Sequence, residues 1–213
     1  MKIAFLALVV AVNLEGIFGH GMLMDPVNRG SAWRKQHRTP KLFTDNENFC
    51  GGFNKQYGEN KGKCGECGDD YSLPRPRRME NGGTYGTGLI VASYKQGQTI
   101  NVTALLTASH LGHFEFSLCP LSSKDELETE DCFAKHPLYQ PNGDFEFRPT
   151  NWDAGEHVVS LVLPKDLECE HCVLRWHYRT GNSWGRCPDG TGKLGCGNQE
   201  IFRSCSDIAI KKS

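Results

Sequence analysis

Ten cysteines lie in this chain of 213 residues, and they restrict the fold more than any other feature does. Such a density of cysteine behind an apolar amino-terminal stretch is typical of secreted domains that disulfides hold together. We therefore expect an oxidised framework of up to five bridges, formed by the ten cysteines. The spacing of the cysteines does not determine which of them pair.

Four of these cysteines could bind zinc instead of forming disulfides. Two residues separate Cys64 from Cys67, and two separate Cys169 from Cys172, as in zinc half-sites. In an intracellular chain these pairs would favour zinc about as strongly as disulfides. Because a leader directs this chain to an oxidising compartment, disulfides are the favoured interpretation.

Residues 1–19 predict a secretory signal peptide. Lys2 supplies a basic start, and residues 3–14 form an apolar run that is too short to span a membrane. No second apolar stretch of that kind follows in the sequence. We therefore expect a secreted, extracellular protein without a membrane anchor.

The position of the cleavage decides how the mature chain begins. Cleavage between Gly19 and His20 would leave residues 20–213 as a single domain with histidine at its first position. Gly19 is small, as the processing enzyme requires at that position. Cleavage after Gly16 is the competing site, and it would bury His20 behind a short extension.

The stretch from Thr99 to His110 alternates with a period of two. Its even positions are apolar as far as Ala108, and its odd positions are mostly Thr, Asn and Ser. This alternation predicts a strand with one buried face, which places His110 at its end. Further strands are predicted at 113–118, 145–147, 157–163, 173–178 and 199–210. Short strands with turn residues between them predict an all-β fold, an antiparallel β-sandwich.

Long loops complete the predicted sandwich. Residues 25–88 show little periodicity but contain three cysteines, which predicts an ordered, functional loop region. Residues 121–144 predict a loop that one bridge closes, with Cys119 and Cys132 as its cysteines, and 181–197 predict a glycine-rich loop. We expect one or two aromatic residues of the first loop to be exposed and able to stack on sugar rings, and the others to be packed: Trp33, Phe49, Phe53, Tyr57, Tyr71 and Tyr85.

The net charge argues against nucleic acid and acidic membranes as partners. The formal net charge is −1, without the excess of basic residues that binding to nucleic acid or acidic membranes requires. The basic run at residues 75–78 could be a processing site, but a solvated turn is the favoured interpretation.

Three separated segments carry residues that suit a metal centre. A histidine at position one of the mature chain would offer its α-amine and its ring, so His20 and His110 together would supply three nitrogens, a set that suits Cu(II). Glu200 would supply a hydrogen bond or a proton beside the metal. Phe202 would cap one axial direction, and Ala108 would leave space there. A lone strand histidine is more often a packing residue, so the terminal position of His20 carries this prediction.

Several motifs occur along the mature chain: HGMLMDPVNRGSAWR, FCGG, GKCGECGD, LTASHLGHFEF, CVLRWHYRTGNSWG and GCGNQEIFRSCSDIAI. Together they resemble the lytic polysaccharide monooxygenases of the branch typical of arthropods (auxiliary activities, family fifteen), a chitin-binding type-4 domain. The resemblance covers essentially the whole mature chain. It implies an immunoglobulin- or fibronectin-III-like antiparallel β-sandwich with a flat copper-binding face and a long loop region stapled by disulfides.

The resemblance also implies a chemistry. One copper ion would be bound by His20 and His110, with Ala108 and Phe202 at the axial positions and Glu200 beside the metal. An external electron donor would reduce the copper, and O2 or H2O2 would be the co-substrate. The implied substrate is insoluble chitin, with cellulose as the second candidate. We expect a monomer with neither nucleic acid nor membrane as a partner.

This chain departs from the usual residues of the family at two positions. Many relatives carry tyrosine at the position of Phe202, and an aromatic residue is expected where His113 stands. Strand geometry directs His113 away from His110, so His113 is a poor third ligand.

Two alternative functions are considered. The first is a non-catalytic polysaccharide-binding protein with the same flat face, and the second is a disulfide-rich structural protein in which His20 has no function. Neither alternative needs a free amino-terminal histidine.

Overall fold

The computed structural model describes residues 20–212, so the predicted signal peptide at 1–19 lies outside the described residues. Ten strands form most of the regular structure: β1 His20–Asp25, β2 Ala92–Lys95, β3 Thr99–Ala108, β4 His113–Pro120, β5 Pro137–Leu138, β6 Gly155–Val162, β7 Cys169–Arg179, β8 Trp184–Arg186, β9 Gly192–Leu194 and β10 Ile201–Lys211. The helical elements are short: α1 Glu130–Lys135, a 3-10 turn at Ala32–Lys35 and a π-helical turn at Lys55–Glu59.

The strands form two sheets and a separate hairpin. The first sheet has three strands in the order β1-β3-β6, and the second has five in the order β2-β10-β7-β4-β5. Strands β8 and β9 make the hairpin. All neighbouring strands in the sheets are antiparallel except β2 and β10, which run parallel at one edge. The predicted antiparallel β-sandwich is confirmed, apart from this parallel edge pair.

The core lies between the two sheets. The even-numbered side chains of β3 from Ile100 to Leu106 are at most 3% exposed, as the alternating sequence predicts. They belong to one cluster with the five-stranded sheet, in which Phe114 meets Trp176 and Tyr178 edge to face at centroid distances of 5.3 and 5.0 Å. Burial of each such large side chain stabilises the fold by about 1.5–3 kcal/mol. Because Tyr178 also contacts the backbone of His110, this core supports the candidate site directly.

The loop region between β1 and β2 attaches to the outer face of the five-stranded sheet. All ten cysteines lie within the described residues and form five disulfides: Cys50–Cys64, Cys67–Cys205, Cys119–Cys132, Cys169–Cys172 and Cys187–Cys196. The second of these joins the loop region to β10 across 138 residues. Buried Arg29 adds ion pairs to Asp207 on β10 and to Glu128. Strand β10 is therefore buried on both faces as far as Ile210.

The disulfide pairing excludes the zinc interpretation. Cys64 and Cys67 bond to different partners, whereas Cys169 and Cys172 bond to each other. A cysteine in a disulfide has no thiolate to offer a metal. The predicted disulfide framework is confirmed, and so is the bridge from Cys119 to Cys132.

Some predicted elements are wrong in detail. No strand forms at 145–147 in the described chain; only Phe147 pairs there, as an isolated bridge to Phe114, and Phe145 is partly exposed. The predicted loop at 121–144 contains α1, whose amino terminus is capped by Thr129, and β5. The glycine-rich loop contains β8 and β9. Short elements of this kind have too few residues to show a period.

The basic run at 75–78 is an exposed turn, as predicted, except that Arg77 is buried. Arg77 is 4% exposed and forms ion pairs with Glu66, at 2.8 Å, and with Glu80. Two carboxylates therefore compensate the burial of Arg77. None of the helices among residues 20–212 has the length and hydropathy needed to cross a membrane.

Candidate metal centre

His20 begins β1 at the edge of the three-stranded sheet. Its Cα partner across the sheet is Ala108, the last residue of β3. A neighbouring loop holds this end of β1: the Gly21 amide donates to the Asn46 carbonyl at 3.1 Å, and the Asn46 side chain donates to the Thr107 hydroxyl at 2.9 Å. The His20 side chain is 27% exposed. The fold therefore presents the ring of His20 at the surface, beside the end of β3.

His110 lies two residues beyond the end of β3, where the chain crosses to the five-stranded sheet. The sequence places it in the strand, but the strand ends at Ala108. Its amide donates to the Tyr178 hydroxyl at 2.9 Å, and its carbonyl accepts from the Gly181 amide at 2.8 Å. His110 is 6% exposed. Backbone contacts to β7 and to the residues after it therefore fix this histidine.

Glu200 and Phe202 reach the same end of the sandwich from the last strand. Glu200 directly precedes β10 rather than lying within it, and its Oε2 atom is 3.7 Å from Nδ1 of His110. Phe202 is 1% exposed and stacks between Phe49 and Tyr178, at centroid distances of 6.1 and 5.8 Å. Ala108 thus adjoins His20, and Glu200 adjoins His110. Phe202 stacks on Tyr178, whose hydroxyl contacts the backbone of His110.

Tyr178 is a residue of this centre that the sequence did not identify. Burial raises the pKa of Tyr178 to about 12, and the carboxylate of Glu200 contributes in the same direction. The hydroxyl therefore remains protonated at any physiological pH. As a neutral group it can accept the His110 amide without adding charge to the centre. An aromatic residue inside a strand carries no sequence signal for this role.

Glu47 is the second residue that the sequence missed. Its Oε1 atom lies 3.5 Å from Nε2 of His20, and its side chain is 41% exposed. It belongs to the same loop as Asn46, which holds β1 in place. Each histidine therefore has one carboxylate near one ring nitrogen, Glu47 for His20 and Glu200 for His110. Both contacts join residues far apart in sequence, so no local pattern predicts them.

The donor set fits copper. Two imidazoles suit Cu(II), and a carboxylate beside the non-coordinating ring nitrogen is the usual arrangement around metal-bound histidine. Phe202 carries no donor atom, and its packing between two rings leaves an apolar wall. The side chains at this end of the sandwich would therefore supply a copper ion with nitrogen ligands, carboxylates that orient these ligands and an apolar boundary.

The surface around His110 carries exposed apolar side chains. Leu111, the next residue, is 45% exposed, and Trp184 in β8 is 67% exposed. The hairpin that carries Trp184 approaches Arg179, whose guanidinium donates to the carbonyls of Gly195 and Gly197. Of the six aromatic residues singled out in the loop region, Phe53 and Tyr71 are the exposed ones, at 38% and 37%, so the expectation of one or two is confirmed.

Comparison with known proteins identifies relatives. The profile of a family described as lytic polysaccharide mono-oxygenase, cellulose-degrading, matches residues 20–208. A solved structure, a lytic polysaccharide monooxygenase AA15 from Thermobia domestica in the Cu(I) state, is 49% identical and has a TM-score of 0.88. The match covers 90% of this chain and 98% of that one.

A short match to another protein carries no argument. A stretch of 58 residues is 36% identical to alcohol dehydrogenase class-3 of Drosophila melanogaster. The stretch covers 25% of this chain, and the chain spans only 15% of that protein.

Proposed function

Because this chain belongs to the lytic polysaccharide monooxygenase family, a family of copper-dependent oxidoreductases, we propose that it is a secreted enzyme that cleaves crystalline chitin oxidatively. Cellulose is the second candidate substrate. The observation that carries the proposal is the position of His20 next to the end of β3, with His110 two residues further along the chain. The family match begins at His20, which supports cleavage of the leader after Gly19.

The two histidines offer different ring nitrogens to the copper. An amino-terminal histidine chelates through its α-amine and Nδ1, because that pair closes a small ring with the metal. The nitrogen that remains, Nε2 of His20, is the one near Glu47. In His110 the carboxylate of Glu200 lies near Nδ1, so Nε2 is the nitrogen for the metal. In both cases the carboxylate favours a proton on the other ring nitrogen and orients the ring.

The remaining residues of the centre shape its open positions. Copper, once bound, supplies the one-electron chemistry that activates O2 or H2O2 with electrons from an external donor. Glu200, whose Oε2 atom lies 3.7 Å from Nδ1 of His110, would supply a proton during the reaction. Phe202 excludes water and ligands from one side, and Ala108 has a side chain too small to block the other. Phenylalanine cannot ligate, so no protein oxygen at this position competes with the co-substrate.

The surface favours chitin. Chitin carries an acetamido methyl group on each sugar, and cellulose has a hydroxyl there. Leu111 adjoins His110 and is exposed, and Trp184 offers an exposed ring near the same end. Apolar contacts of this kind contribute about 25 cal/mol for each Å² that they bury. An apolar face of this kind supports chitin, because the acetamido methyl groups would add contacts to the ring stacking that cellulose can also make.

Mass spectrometry of released products tests the proposal. The mature protein would be incubated with copper, a reductant and either crystalline chitin or cellulose. We expect oxidised oligosaccharides from chitin, none without reductant, and fewer from cellulose. The masses and fragmentation of the products also show whether C1 or C4 is oxidised. Binding to chitin without any oxidised product would support the non-catalytic alternative.

Sequencing the amino terminus of the secreted protein tests the leader. We expect His20 as the first residue. A chain that begins at Ile17, the residue after Gly16, would leave His20 without its α-amine and would contradict the proposed chelate.

A further inference from the structure

A second group of ligand-type side chains lies outside the candidate copper centre. Nε2 of His113 is 3.0 Å from Oε1 of Glu115 and 3.6 Å from Oε1 of Glu146. Each of the three side chains offers one donor atom within 4.8 Å of the other two. The proposed oxidation of polysaccharide does not use this group.

The backbone holds the three side chains in place. His113 begins β4 and is 6% exposed, and the next residue, Phe114, points into the core. His113 and Glu115 therefore share the opposite face of the strand. Phe147 exchanges two backbone hydrogen bonds of 2.9 Å with Phe114, which positions the neighbouring Glu146 against β4.

The two carboxylates of this group carry more negative charge than the single histidine can compensate. Two carboxylates approach the same nitrogen of His113, and one nitrogen can donate only one proton. Arg148 forms an ion pair with Glu146, but Arg148 is 63% exposed, and an exposed pair contributes little in water. A divalent cation bound to the nitrogen would compensate both carboxylates at once.

The distances match a tetrahedral metal ion. Zinc binds nitrogen and oxygen at 2.0–2.2 Å, which places neighbouring donor atoms about 3.4 Å apart. The distances of 3.0 and 3.6 Å around His113 bracket that value. We propose that His113, Glu115 and Glu146 form a second metal site that binds a divalent cation of the zinc class, with water as the fourth ligand. The ion would connect β4 to the segment that contains Phe147.

Zinc titration of the copper-loaded protein tests this site. Copper occupies its own centre and is not displaced, because Cu(II) binds such nitrogen sites more tightly than Zn(II). Calorimetry with zinc chloride at neutral pH should show one further binding event of one zinc per chain. Glu146→Gln and Glu115→Gln keep the side-chain size and remove an anionic donor, so each should weaken zinc binding at least about tenfold.

Glu156→Gln is the matched control, since Glu156 is an exposed carboxylate on β6. This variant should bind zinc as the unmodified protein does. Glu146 is 41% exposed, so its variant should fold, which circular dichroism can verify. The visible absorption of Co2+ in place of Zn2+ gives a second readout of the coordination. Absence of the further zinc event would overturn the proposal. So would a zinc affinity of the Glu115 and Glu146 variants equal to that of the unmodified protein.

Discussion

At the scale of single residues, the ring of His110 is buried, and hydrogen bonds to other residues fix its backbone. Its two backbone hydrogen bonds, to Tyr178 and Gly181, do not depend on the side chain. A substitution of the His110 side chain should therefore abolish activity without a large loss in the free energy of unfolding. This separation distinguishes a metal ligand from a histidine that merely packs.

His110→Ala should abolish oxidative cleavage and leave the fold intact. Loss of a ligand should reduce copper affinity by at least about 100-fold, the upper end of what loss of a ligand's supporting partner costs. The free energy of unfolding of the metal-free protein, measured with urea, should fall by less than about 2 kcal/mol. His136→Ala, at a histidine beside α1, is the control. A loss of about 2–5 kcal/mol with cleavage retained would show that His110 packs the core instead.

One extra residue before His20 should remove activity but not folding. The extension converts the α-amine into an amide, which is not the same neutral donor, and it breaks the small chelate. The hydrogen bond from Gly21 to Asn46 remains, so β1 should stay in place. We expect chitin binding to persist, while copper affinity and reductant-dependent oxidation are lost. The same residue added after Ser213 is the control, and oxidation at the native rate by the extended protein would contradict the metal site.

At the scale of elements, the turn from β3 to β4 positions His110 between the sheets. Leu111 and Gly112 both have positive φ, of 56° and 98°. A Cβ atom at Gly112 would lie 2.0 Å from the carbonyl oxygen of Arg179, closer than any real contact. Only glycine permits this approach, so the turn determines where His110 lies.

Gly112→Ala should therefore destabilise the protein and weaken copper binding together. We expect a loss of about 1–3 kcal/mol or more, from the combined strain and clash, measured by urea unfolding. Calorimetry should show reduced copper affinity because the backbone of His110 must shift. Gly143→Ala is the matched control: its φ is 90°, but no atom lies within 4 Å of the added Cβ. If both variants lose the same stability and bind copper equally, close packing of the turn does not position His110.

At the scale of the whole molecule, the buried pair of Arg29 and Asp207 connects the loop region to β10. Burial alone would raise the pKa of Asp207, but the charge of Arg29 and hydrogen bonds from Arg29 and His171 lower it to about 2. A carboxyl whose pKa is lower in the folded state stabilises the fold above its unfolded pKa of 3.8. That contribution is lost as pH falls through about 2.

Acidification should therefore remove stability that depends on this pair. Between about pH 5 and pH 2 the free energy of unfolding should fall by about 2 kcal/mol on account of Asp207 alone. Asp207→Asn should remove this part of the pH dependence, as measured by urea unfolding across that range. Asp166→Asn, at an exposed carboxylate, should leave it unchanged. An identical pH profile for Asp207→Asn and the unmodified protein would contradict the linkage.

The amino-acid sequence by itself determined the class of the fold and the presence of a disulfide framework, but not the pairing of its cysteines. The alternation of apolar and polar residues in β3 predicts which side chains are buried, because successive side chains of a strand point to opposite faces. Cysteine content behind a leader predicts disulfides, because the compartment sets the redox state. The family motifs name His20, His110, Glu200, Phe202 and Ala108, whose roles at the metal stay a proposal.

Only the tertiary structure decided which distant residues meet. The disulfide from Cys67 to Cys205 spans 138 residues, and no local spacing predicts it. Glu47 lies beside His20, and Glu146 beside His113, for the same reason. These contacts depend on how the loops pack against the sheets, and packing is set by burial of surface from the whole chain rather than by neighbouring residues.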